Sequence, residues 1–221
     1  MLPCVSGATV RTSKDRLLTD ELHAPFDTNA SNAGRQPVRK GTERAAAEYA
    51  LLGLIARTEN GEVHGYDLSR LFAEGALGRI IRLEPGMLYH YLKKLARDGL
   101  IASRIERQSG RPDRQVHTLT PVGDAVLHAW IAAPVRSTRE IRLDFLVKLY
   151  LARAIDPRHA ITLVTRQRSV MRTRAARLTE QLDSPQPSGQ DNAFGESVLR
   201  LRLTQTEAAL AWLDALPESD Q

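Results

Sequence analysis

Arg82-Leu-Glu-Pro-Gly-Met-Leu-Tyr-His-Tyr-Leu-Lys-Lys-Leu-Ala-Arg-Asp-Gly-Leu-Ile101 is the stretch whose reading decides the fold. It reads as one short helix with both ends marked. Pro85 suits the first helical position, where no N–H is needed. Glu84 precedes it, at the positive end of the helix dipole. Leu88, Tyr91 or Leu92, and Leu95 recur at helical spacing, which predicts one side against a core. Lys93, Lys94 and Arg97 decorate the remainder. Gly99 ends the helix, because a left-handed residue closes it at little steric cost.

The segment after this helix reads as a hairpin. Residues 101–107 and 114–120 are two alternating runs, and Gln108-Ser-Gly-Arg-Pro-Asp113 between them is a turn by composition. Arg104, Arg107, Arg111 and Arg114 cluster on or near it. A helix with exposed basic residues followed by an arginine-tipped ribbon is the layout of a winged helix-turn-helix. Its helix enters the DNA major groove, and its wing meets phosphates or an adjacent minor groove.

Upstream, residues 43–58 read as a largely buried first helix, rich in Ala and Leu. A second helix begins near Gly65 and is closed by Gly75 and Gly78, with a loop through Arg79-Ile-Ile81 leading to the basic helix. Downstream, Thr120 and Pro121 open a fourth helix. Its predicted apolar stripe is Val122, Ala125, Val126, Ala129, Trp130 and Ala133.

Five motifs in this order, His64-Gly-Tyr-Asp-Leu68, Leu83-Glu-Pro-Gly-Met-Leu-Tyr89, Leu95-Ala-Arg-Asp-Gly-Leu-Ile101, Gly110-Arg-Pro112 and Leu119-Thr-Pro-Val-Gly123, resemble the PadR family of transcriptional regulators. The resemblance covers roughly residues 47–125. It departs from the family pattern at His117, where an aromatic is frequent, and at Asp113, where a basic residue is common. It implies a DNA-binding regulator that dimerises through C-terminal helices.

The C-terminal third agrees with that implication. Residues 138–154 read as a helix, and Asp156-Pro157 caps a long one. Ile161, Val164, Arg168, Met171, Ala175, Leu178 and Leu182 form a heptad seam in it, with Arg168 the one charged position. A last helix over 194–216 carries Leu199, Leu203, Leu210 and Leu213 on one side. The arginines of the long helix and the acidic residues of the last one predict an oppositely charged pairing.

The chain of 221 residues is 42% hydrophobic and 26% charged, with net charge +5. That balance permits nucleic-acid binding without requiring it. Cys4 is the one cysteine, which excludes an intrachain disulfide. No run approaches the roughly 20 apolar residues of a membrane helix, and residues 1–7 do not read as a signal peptide. A cytoplasmic protein is expected. Residues 1–42 are expected to be a disordered tail, with a basic arm through Arg35, Arg39 and Lys40 as the alternative. His23, His64, His90, His117, His128 and His159 show no metal-ligand spacing, and no nucleophile elbow or phosphate-binding loop occurs. The expectation is therefore no enzyme, no cofactor and no metal.

The fold expected is mainly α with a small β wing. It comprises a tail over 1–42, a winged helix-turn-helix domain over 43–133 and a helical dimerisation region over 134–221. The DNA-binding set is Tyr89, His90, Lys93, Lys94, Arg97, Arg104, Arg107, Arg111 and Arg114. Tyr89 has a second reading, packing against the second helix. Tyr66 is expected in the core, with contact to the DNA backbone, beside Arg70, as the alternative. Trp130 and Trp212 are expected to be core or interface anchors, with a platform for a small-molecule effector as the weaker alternative. The expected partners are double-stranded DNA and a second copy of the chain, the function repression at a pseudo-palindromic operator. The competing reading is a protein-interaction module on a winged-helix scaffold, which leaves the four wing arginines without a purpose.

Overall fold

The computed structural model describes residues 42–107, 113–184 and 190–217. The expectations for the 1–41 segment, and for Arg111 in the wing turn, lie outside these residues. The N-terminal half runs α1 (Thr42–Ala56), β1 (Glu62–His64), α2 (Gly65–Glu74), α3 (Ala76–Ile80), α4 (Pro85–Arg97), β2 (Ile101–Glu106), β3 (Arg114–Leu119) and α5 (Pro121–Ala132). The C-terminal half is α6 (Thr138–Glu140), a π-helical turn (Ile141–Phe145), α7 (Leu146–Ile155), α8 (Pro157–Asp183) and α9 (Gln190–Asp214). No helix among the described residues is long and apolar enough to cross a membrane.

Helix α1 is the common core element. Ala46, Ala50, Leu51, Leu52 and Ile55 are almost wholly buried, as a helix apolar on most sides requires. Gly53 lets α1 approach α7, because a Cβ there would strike Leu151. Phe72, Leu77, Leu88, Leu92 and Leu95 close the core beneath α2, α3 and α4. Truncating one such leucine to alanine costs about 2–5 kcal/mol.

The sheet has the order β1-β3-β2, antiparallel throughout. The hairpin is legible in the sequence; β1 is not. Its three residues pair Glu62 with Thr118, Val63 with His117 and His64 with Val116. A second difference lies after Gly75, where the sequence suggests closing glycines at 75 and 78 and a loop over 79–81, and the short helix α3 stands instead. Gly75 does end α2, but Gly78 lies inside α3. A Cβ there would meet the Ala73 carbonyl at 2.6 Å and the Phe72 carbonyl at 2.9 Å, so this glycine permits a close turn rather than breaking the helix.

Two predicted faces are rotated. In α5 the buried residues are Gly123, Leu127 and Ile131, whereas Val122 is 60% exposed. Apart from the side that carries Asp124 and His128 the helix is apolar, so pattern alone does not choose its inner face. In α8 the buried line is Ala160, Leu163, Gln167, Met171 and Leu178. Of the predicted seam, Met171 and Leu178 lie on it, while Ile161 is 49% exposed. Nothing in the sequence marks Gln167 for burial. Its amide accepts from Val135 N at 2.7 Å and donates to Val135 O at 2.9 Å, pairing like a strand residue.

Helix α5 connects the two halves through bonds at both ends. Thr120 accepts from Gly123 N at 3.0 Å and donates to the carbonyls of Gly99 and Leu100 at 2.8 and 3.1 Å, just past the end of α4. At its other end, Lys148 of α7 donates to the Trp130 and Ala133 carbonyls at 2.7 and 2.6 Å. Its ammonium also sits 4.5 Å from the Trp130 ring centroid, and that ring stacks on Tyr49 of α1 at 4.2 Å. A cation suits the negative end of a helix.

Candidate nucleic-acid interface

Helix α4 begins with Pro85 and ends before Gly99, whose φ of 72° only glycine adopts freely. Leu88, Tyr91, Leu92 and Leu95 are buried, which fixes the rotation of the helix. The face left outward carries Met87, Tyr89, His90, Lys93 and Arg97. Burial of the four inner residues therefore holds these side chains on a rigid support.

Tyr89 packs against the start of α2, as its second reading expects, and stays partly open to solvent. It is 44% exposed, yet its ring lies over Gly65 at the start of α2. A Cβ at Gly65 would meet the Tyr89 ring at 2.8 Å, so the glycine makes room for the tyrosine. His90 is exposed and lies edge-on to Tyr91, centroids 5.9 Å apart. Tyr66 corrects an expectation. It is 71% exposed on the first turn of α2, not in the core. The inner face of α2 belongs to Gly65, Leu68 and Phe72, and Tyr66 falls outside that arc. Tyr66 is therefore exposed, as the alternative reading requires, and the burial arc is visible in the spacing of Leu68 and Phe72.

The basic set divides into two groups. Lys94 turns back to Glu48 of α1. Arg97 holds Asp98 through Nε and Nη2, both at 3.1 Å. Arg104 reaches Glu62 of β1, and Arg70 lies 3.8 Å from Asp67. Lys93, Arg107 and Arg114 are exposed and have no ion pair among the described residues. Arg114 stands opposite Glu106 in the ladder, whose carboxylate lies 3.5 Å from His64.

Beneath the wing, His117 is buried on β3 with Nδ1 2.8 Å from the Ser103 hydroxyl. Burial holds this imidazole below its usual range, and neighbouring His64 acts in the same direction. A neutral ring bonded to Ser103 fills a place where an aromatic would serve equally for packing.

Trp130 and Trp212 are not brought together. Trp130 is half-buried in its stack with Tyr49, while Trp212 is 37% exposed and meets Phe145 edge-on at 6.0 Å.

Residues 51–129 match the transcriptional regulator PadR-like family, and residues 141–218 match the virulence activator alpha C-terminal family. The chain is 25% identical over 175 residues to the negative transcriptional regulator PadR of Bacillus subtilis, across 76% of this chain and 94% of that one. It is 30% identical over 170 residues to the probable transcriptional regulator Rv1176c of Mycobacterium tuberculosis, across 71% of this chain and 89% of that one. Among solved structures, Bacillus subtilis PadR in complex with operator DNA is similar at 25% identity, covering 81% of this chain and 97% of that chain with a TM-score of 0.39.

Proposed function

The chain belongs to the PadR-like family of transcriptional regulators, and from that premise we propose that it is a homodimeric repressor of a pseudo-palindromic operator. Two copies of α4 enter successive major grooves, roughly 34 Å apart as helix-turn-helix dimers require. Tyr89, His90 and Lys93 reach base edges or phosphates from α4, and Arg107 and Arg114 reach phosphates from the wing, joined by Arg111. Arg97, Arg104 and Lys94 act there only after exchanging an acidic partner for a phosphate. Tyr66 adds a hydroxyl beside Tyr89. Repression follows from covering a promoter.

One observation carries the reading. The inner face of α4 is locked by four buried side chains while its outer face presents Lys93 without an acidic partner among the described residues. A charge held rigidly and left unneutralised is the arrangement that phosphate binding rewards. Homodimerisation is supported by Phe194 and Leu201 on α9, 73% and 58% exposed, and by Ile161 on α8. The same exposed residues fit another protein's helix, which keeps the interaction-module reading as the alternative.

Selection from a random duplex pool tests the proposal. The expected product is a two-fold sequence with half-sites about one helical turn apart, bound by a dimer in light scattering. Recovery of no sequence from the pool, with no retardation of any duplex at low salt, contradicts it.

A further inference from the structure

Among the described residues, two glycines have neither a positive φ nor an atom in the way of a Cβ: Gly86 on α4 and Gly195 on α9. Gly86 is exposed and is the second residue of α4, a place where alanine fits the backbone and holds a helix better. No contact and no backbone torsion of the free fold requires a glycine here. Gly65 makes room for Tyr89 inside the fold; nothing inside the fold stands where a Gly86 side chain would go. The position is also particular. Leu88, Tyr91, Leu92 and Leu95 face the core, so the opposite side is the line of Gly86, His90, Lys93 and Arg97, at helical spacing. Gly86 heads that line, with His90 about 6 Å and Arg97 about 16 Å further along the axis. Its turn is open. Glu84, the N-cap residue, makes no side-chain bond to it and lies 3.7 Å from Arg82.

We propose that Gly86 is kept bare for the close approach of DNA. The leading turn of α4 enters the major groove main chain first, and base edges come to lie where a Cβ would stand. Base edges fit this place better than a phosphate, because the Glu84 carboxylate beside it repels a second anion. Gly86 thus sets how deep α4 sits, and with it whether His90, one turn on, reaches a base. Lys93 and Arg97 stand further along the helix, and their long side chains reach phosphates at either depth. The inference rests on the DNA-binding function proposed above and adds to it a determinant of specificity that has no side chain of its own.

Mobility-shift titrations of the full chain and of its Gly86→Ala and Gly86→Leu variants test this. Each protein is titrated against the duplex selected from the random pool and against a scrambled duplex, and each is melted thermally. Gly86→Ala should melt about 1–3 °C above wild type. It should nonetheless bind the selected duplex about tenfold more weakly, and Gly86→Leu about 100-fold more weakly. Both should bind the scrambled duplex within about twofold of wild type, because the cations are untouched. A gain in stability with a loss of discrimination is the signature of a contact made outside the fold. Gly86→Ala binding the selected duplex as wild type does overturns the inference and leaves the DNA-binding function standing. So does an equal loss on both duplexes, or a melting temperature below wild type, which assigns Gly86 to the fold. Recovery of no sequence from the pool overturns the DNA-binding function, and the inference falls with it.

Discussion

Arg166, Arg168 and Arg172 of α8 and Lys93, Arg107 and Arg114 of the α4–wing surface share a chemistry and meet different fates. On α8, Arg168 donates to the Leu213 carbonyl at 2.7 Å and faces Asp214 at 3.0 Å, closing the end of α9. Arg172 lies 3.7 Å from the same carboxylate, and Arg166 reaches the Ala132 carbonyl. These guanidinium groups join helices to each other. On the α4–wing surface, Lys93, Arg107 and Arg114 have no such acceptor among the described residues. The lesson is that counting cations does not locate a nucleic-acid surface. On the proposed interface, the three cations stand on ordered elements and are left for an outside partner.

The difference can be broken from either side. The largest effect is expected from removing the unneutralised cations. Lys93→Ala, Arg107→Ala and Arg114→Ala together should weaken operator binding by about 100-fold or more, since each phosphate contact releases counterions. A mobility-shift titration at fixed salt checks this, and circular dichroism should show an unchanged fold.

Next comes a buried charge that belongs to neither surface. Burial pushes the Asp144 carboxyl up to about 6 from 3.8; Glu140 adds to this and Lys148 opposes it. Burial likewise pulls Lys148 down to about 8, against Asp144 and Glu140. For Asp144 the folded state binds its proton more tightly than the unfolded chain. Its stabilising contribution is therefore full below about pH 3.8 and lost as pH rises through 6. Urea melts between these limits should show wild type losing on the order of 2 kcal/mol relative to Asp144→Asn.

Arg168→Gln should lower stability by about 1 kcal/mol, because it removes a charge-assisted cap from α9. Operator affinity of the folded variant should stay within about twofold. A large loss of affinity at full folding would place α8 on the DNA and dissolve the distinction. The smallest effect is expected from Glu48→Gln, which frees Lys94. Affinity should tighten only a few-fold, in a manner lost at high salt.

The sequence is most legible where periodicity and punctuation agree. The rotation of α4 follows from Leu88, Leu92 and Leu95 between Pro85 and Gly99. The pairing of β2 with β3 follows from alternation around one polar turn. Strand β1 is hidden because three residues carry no period and their partner lies more than fifty residues on. The inner face of α5 is hidden because valine, alanine and tryptophan on its other sides look equally suited to burial. Lys148 and Gln167 are hidden for a different reason. Their roles depend on backbone carbonyls and amides of another segment, and no sequence pattern encodes those. At the proposed DNA face, which basic residues are neutralised within the chain is likewise a tertiary fact. Lys93 and Lys94 are neighbours in sequence, and only Lys94 meets Glu48.

The most direct test of the central claim is the salt dependence of binding to duplex DNA from upstream of the protein's own gene, measured by fluorescence anisotropy against a scrambled duplex. Wild type should prefer the upstream duplex with a steep slope of log affinity on log salt. The Lys93, Arg107 and Arg114 variant should have a slope shallower by about five units, three contacts on each of two chains. Equal slopes for wild type and variant, at equal affinity, would contradict the claim that the α4–wing surface holds the DNA.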